Sequence, residues 1–264
     1  MITLEELNSV KSQRKTNLYY EEKEYLQYIF LNAISRYPDN FVFKGGTCLR
    51  ICYGLERASE DLDFSTNLSP VQLKKIVYHC LRDFEFLNLK YKIYAEKEFA
   101  GNSRFEIRFE GPLFTGSPSS TNTLKIDFNK GKARHKVAKV VQKLFSDAPL
   151  FTLVVQDEKE ILAEKIRALV NRGESRDLYD VWMLINKKVE VDKKLLFDKL
   201  KEEGSGGLSN LKFPSKEEYW RDLKNLLNFV PPYEQVKKEV EGALGLARLK
   251  GSQKDRQRKA GHTA

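Results

Sequence analysis

The chain has 264 residues, 41% apolar and 31% charged, enough to bury a real core as one large domain or two modest ones and too apolar for a mainly disordered protein. No apolar run approaches the roughly 18–20 residues of a membrane span, and the opening MITLEELNSV lacks a basic patch followed by an apolar stretch, so the expectation is a cytoplasmic protein with no membrane association. The net charge of +9 is concentrated at one end: from Arg248 to Ala264 six basic residues stand against Asp255 alone. Residues 251–264 therefore read as a basic, disordered tail, with phosphate contact as the alternative.

In chain order, Thr3 caps a short helix, and Tyr20 to Arg36 carries Tyr25, Ile29, Phe30, Ala33 and Ile34 at helical spacing. Phe41 to Phe43 reads as a strand ending in Gly45-Gly46, Thr47 to Tyr53 as a helix, and Asp61 to Ser65 as an alternating strand. Ser69-Pro70 opens a helix to about Phe86. Leu89 to Glu98 and Arg104 to Glu110 are two strands joined at Ala100-Gly101-Asn102; Gly111 to Asn122 is a loop, and Thr123 to Asn129 another strand. From Asp157 the pattern turns helical: Lys159 to Arg172, Arg176 to Asn186, Asp192 to Glu203, Lys216 to Asn228 and Glu234 to Leu249, with Gly204 to Gly207 as a flexible linker. The fold class expected is α+β, a mixed sheet flanked by helices in residues 1–150 followed by a mostly helical region over 151–250. Cys48, Cys52 and Cys80 form no CxxC pair and read as reduced core thiols, and His79 and His135 lack metal spacing.

The chemistry is concentrated in three stretches. Two glycines at a strand-to-helix junction let a backbone pass close to a ligand, and the helix beginning at Thr47 offers free N–H groups to phosphate. Asp61 and Asp63, two apart on a strand, project from one face, with Asp127 on a strand able to pair beside them. Three clustered carboxylates repel each other and suit a hard divalent cation, Mg2+ or Mn2+; the alternative is three unrelated surface acids. Further along, at about 100° per residue, Lys165 falls on the apolar stripe of its helix and Glu164 outside it. Asp177 and Asp180 share a face with Val181 and Leu184. A lysine so placed needs an anionic partner, and a structural Lys-Asp strut is the simplest reading.

The glycine pair, the Asp-x-Asp and the later acid resemble the DNA polymerase β-like nucleotidyltransferase superfamily. More closely, Lys44-Gly-Gly-Thr-x-Leu, Arg57-x-Ser59-Glu-Asp-Leu-Asp-Phe, Leu162-x-x-Glu-Lys-x-x-Ala168 and Arg172-x-x-x-Arg-Asp-Leu-Tyr-Asp resemble the AbiEii/AbiGii family of toxin-antitoxin and phage-defence toxins. The resemblance implies a metal-dependent nucleotidyltransferase that moves NMP from an NTP to an acceptor such as tRNA, with a cognate antitoxin. Asp61, Asp63 and Asp127 would hold the metal, and Asp127 would help deprotonate the acceptor. Lys44, Gly45, Gly46, Thr47, Arg57, Ser59 and Lys165 would meet the nucleotide. Lys165 and Asp180 match positions needed for activity, and Arg176 and Asp177 support them, the helical region completing the active site. The alternatives are a small-molecule or protein hydroxyl as acceptor, or a non-catalytic NTP- or RNA-binding module.

Overall fold

The computed structural model describes residues 1–131, 133–202, 204 and 207–246. The basic tail, the end of the last expected helix, Glu203 and the linker residues Ser205 and Gly206 lie outside the described residues. Two compact units divide at Asp157 and Glu158.

The first unit is a mixed sheet with helices. Its elements are α1 (Leu4–Arg14), α2 (Leu18–Ile34), β1 (Phe41–Lys44), α3 (Gly45–Tyr53), β2 (Asp61–Thr66), α4 (Pro70–Phe86), β3 (Lys90–Phe99), β4 (Asn102–Glu110), β5 (Asn122–Lys130), β6 (Lys136–Val141) and β7 (Phe151–Gln156). The strand order is β3-β4-β5-β2-β1-β7-β6, with β2 parallel to β5, β1 parallel to β7 and the other neighbours antiparallel. Thr3 and Ser69 cap α1 and α4 as read from the sequence, Ser69 within a complete capping box with Gln72. Ala100 and Gly101 both have positive φ between the paired Phe99 and Asn102, a two-residue turn of the kind that suits a twisted hairpin.

Period-two alternation divides the sheet into an apolar face and a charged one. Phe43, Leu62, Phe64, Leu124, Ile126, Phe128, Phe105 and Ile107 are buried on the apolar face. There Phe64 and Phe128 stack at 5.4 Å between ring centroids, Phe30 of α2 lies 6.4 Å from Phe64, and Phe84 of α4 lies 4.5 Å from Phe109. The opposite face receives Lys44, Asp61, Asp63, Lys125, Asp127 and Arg104 by the same alternation.

Two strands, β6 and β7, lie between residues 130 and 157, where the sequence pattern predicts none. β6 is an edge strand that carries Lys136 and Lys139 among valines and an alanine, and β7 is a short apolar run paired with β1 and β6.

The second unit contains α5 (Glu158–Asn171), α6 (Ser175–Asn186), α7 (Lys193–Glu202), α8 (Lys216–Leu223) and α9 (Tyr233–Ala243). α8 is shorter than the expected run to Asn228, because the amides of Leu226 and Leu227 fold back onto the Leu223 carbonyl in a turn ahead of Pro231 and Pro232. Among the described residues no helix is long and apolar enough to cross a membrane.

Candidate active site

In the first unit the strand register aligns the acids. Asp63 stands opposite Asp127 across the parallel β2–β5 pair, and Asp61 stands opposite Lys125. Lys44 is the register partner of Asp63 on β1, and Arg104 that of Asp127 on β4. One row across the sheet thus reads Lys44, Asp63, Asp127, Arg104, with neighbouring strands about 4.8 Å apart. The three acids do share a face, as their spacing suggested.

They are not, however, an uncompensated cluster. Arg104 forks onto Asp127, Nε donating to Oδ1 at 2.7 Å and Nη2 to Oδ2 at 3.0 Å. Asp61 is pushed above the usual carboxylate range by burial first, with Asp127 and Glu60 adding to the rise while Lys125 and Lys23 oppose it. Lys23, buried on α2, donates from Nζ to the Thr123 carbonyl at 2.6 Å. Arg104, Lys125 and Lys23 are not legible in the sequence as partners of the acids, because cross-strand neighbours are set by the register. The period-two pattern of Arg104 to Glu110 was the available signal.

The donor set suits a hard divalent cation, all its ligands being carboxylate oxygens on two adjacent strands. Among the described residues, no three His, Cys, Asp or Glu side chains stand together as a formed metal group. By residue type Asp61, Asp63 and Asp127 fit such an ion, and in this structure both oxygens of Asp127 are occupied by Arg104.

The glycine pair is fixed by its neighbours. α3 begins at Gly45, two residues earlier than expected, with φ +79°. A Cβ on Gly46 would lie 2.6 Å from Arg57 Nη2 and 2.9 Å from Ser59 Oγ. Arg57 is buried and donates from Nη1 to the Ala58 carbonyl at 3.0 Å, while the Thr47 hydroxyl donates to the Asp61 carbonyl at 2.6 Å and shares a hydrogen bond with the Ser59 hydroxyl at 2.9 Å. Thr47, Arg57 and Ser59 therefore tie the α3 entry to the strand carrying the acids. The N-cap residue Lys44 makes no side-chain cap to α3, and the helix entry carries the positive end of the dipole. Cys48 and Cys80 are buried free thiols and Cys52 is half-buried, the filler role expected of them.

In the second unit, Lys165 is held by two carboxylates, Asp177 Oδ1 at 2.9 Å and Asp180 Oδ2 at 2.8 Å. Asp177 also accepts from Arg172 Nε at 2.8 Å. Burial alone would raise Asp177, but Lys165 and Arg172 outweigh it and hold the carboxyl below its ordinary range. The lysine on the apolar stripe thus has its anionic partners, two rather than one. Asp177 stands as close to Lys165 as Asp180 does. Arg176, by contrast, is exposed and lies 3.7 Å from Glu174. Glu164, off the stripe as read, pairs with the buried Lys199 at 2.8 Å.

A mixed sheet with paired strand acids beside a glycine-led helix is the arrangement of a nucleotidyltransferase, and comparison with known proteins agrees. Residues 29–246 match the family model described as nucleotidyl transferase AbiEii toxin, type IV TA system, and the chain belongs to that family. It is a nucleotidyltransferase toxin, using a nucleotide donor and partnered with an antitoxin. Its fold is similar to that of MenT4, a nucleotidyltransferase toxin of Mycobacterium tuberculosis H37Rv, at 17% identity over 90% of this chain and 87% of that one, with a TM-score of 0.68. It is also similar to JHP933 of Helicobacter pylori, at 19% identity over 93% of this chain and 98% of that one, with a TM-score of 0.55. No curated protein sequence matches it.

Proposed function

We propose that the toxin transfers a nucleoside monophosphate from NTP to an RNA hydroxyl, with tRNA as the acceptor to test first, and that the transfer requires Mg2+ or Mn2+. The observation that carries this reading is the in-register row of Asp63 and Asp127, with Asp61 two residues along, on the sheet face opposite α2 and α4. Asp61 and Asp63 hold the cation and Asp127 completes the set, accepting the proton of the incoming hydroxyl. A bound divalent ion supplies compensation for the triphosphate charge. Lys44 and the first amides of α3 meet the phosphates, Arg57 and Ser59 hold that loop in place, and Lys165 and Asp180 take part in transfer with Arg176 and Asp177 in support.

The experiment is incubation of purified protein with each labelled NTP, total RNA and then tRNA, with Mg2+, Mn2+ or excess chelator. Label in RNA that disappears with chelator is the expected result. Label recovered in the protein or in a small molecule would replace the RNA acceptor, and transfer undiminished by chelator would remove the cation.

A further inference from the structure

Both oxygens of Asp127 are taken by one guanidinium, at 2.7 and 3.0 Å from Arg104. The Asp127 side chain is only 9% exposed and is fixed in the sheet, whereas that of Arg104 is 40% exposed at the end of a flexible stem. The carboxylate is therefore the anchored half of the pair and the guanidinium the half that can leave, at little desolvation cost. A guanidinium fork and a divalent cation compete for the same two oxygens. Asp127 is also the register neighbour of Asp63, so the competition is for the third member of the acid row.

We propose that Arg104 is a built-in counter-ion that withholds Asp127 from the divalent cation, so that the metal site completes itself by exchanging the Arg104 guanidinium for the ion, and Arg104 sets the affinity at which this happens. The inference rests on the cation site proposed above. It makes Arg104 a positioning residue that acts through Asp127. Once released, its planar fork is free to meet an anionic oxygen of the incoming triphosphate.

The test is a nucleotide-free Mn2+ titration of the full chain, with free ion followed by electron paramagnetic resonance and folding checked by thermal melting. The proteins are the unmodified chain, Arg104→Gln, Asp127→Asn, the double variant, and Asp63→Asn to locate the ion. The expected result is that Arg104→Gln binds Mn2+ about ten-fold more tightly than the unmodified chain, a coupling of ordinary size, and that the gain vanishes in the Asp127→Asn background. Arg104→Lys, which keeps the charge and loses the fork, gives an intermediate affinity and serves if Arg104→Gln does not fold. Equal or weaker affinity in a folded Arg104 variant, with Mn2+ still lost in Asp63→Asn, overturns the role of Arg104 and leaves the cation site standing. Absence of Mn2+ binding from the unmodified chain and from the Arg104 variants overturns both.

Discussion

A Cβ placed on Gly45 would stand 2.5 Å from Oδ2 of Asp63, so the first residue of α3 and the second acid of β2 share a space that no side chain can enter. Gly45 also has φ +79°, where any L side chain is strained. Gly45→Ala is expected to cost about 1–3 kcal/mol and to displace the Asp63 carboxylate, with loss of transfer. A crystal structure or melting curve indistinguishable from the unmodified protein, with full activity, would show that the contact is relieved without consequence.

The acids themselves separate activity from stability. Asp61 is half-buried and its ionised form is disfavoured chiefly by burial, with Asp127 and Glu60 adding repulsion. Asp61→Asn should therefore melt at the same temperature as the native protein or about 1–3 °C higher while losing NMP transfer. Asp127 differs from Asp61, since its partner Arg104 is lost with it: Asp127→Asn should be less stable than the native chain. An Asp61→Asn protein that transfers at the native rate would remove this residue from the site.

A pH dependence follows from Asp177. Its folded-state carboxyl is held low, after burial is offset, by Lys165 and Arg172. The pair's stabilisation is thus fully present above the unfolded carboxylate value near 4 and is lost as pH falls through the lower folded value. Melting temperature followed downward from pH 6 should fall more steeply for the native protein than for Asp177→Asn, which lacks that ionisation. Parallel curves would mean that other carboxylates dominate acid unfolding.

What the sequence showed and what it withheld follow from the range of the interactions. Alternation placed Asp61, Asp63 and Asp127 on one face before any pairing was known, and helical spacing put Lys165 with Asp177 and Asp180 on inward stripes, because each pattern is local to its element. Register is set by long-range packing, so the Arg104 fork on Asp127 and the Lys125 neighbour of Asp61 were not legible. A cluster read from sequence as requiring a cation is, in the fold, already partly neutralised by arginine and lysine. β6 and β7 escaped for a related reason: β7 is six residues whose apolar character serves a neighbour far away in the chain.

The last prediction turns on Lys165, which is held between two buried carboxylates at 2.9 and 2.8 Å and is itself only 14% exposed. Lys165→Met keeps most of the packed stem but strips the cation from Asp177 and Asp180, a change that costs about 3–5 kcal/mol when a buried pair is broken from one side. Adding Asp180→Asn removes one of the stranded charges, while Asp177 retains Arg172 at 2.8 Å. The double variant should therefore regain a large part of the lost stability, a coupling that a double-mutant cycle on melting free energies measures directly. Activity should behave differently. If Lys165 and Asp180 only tie α5 to α6, transfer returns along with stability in the double variant. If Lys165 also serves the reaction, the double variant folds well and stays inactive, with NTP binding weakened by roughly ten- to a thousand-fold, as the loss of a charge-assisted contact gives. The expected outcome is the second, stability recovered and transfer not. Native turnover in a folded Lys165→Met, Asp180→Asn protein would confine both residues to holding the helices together.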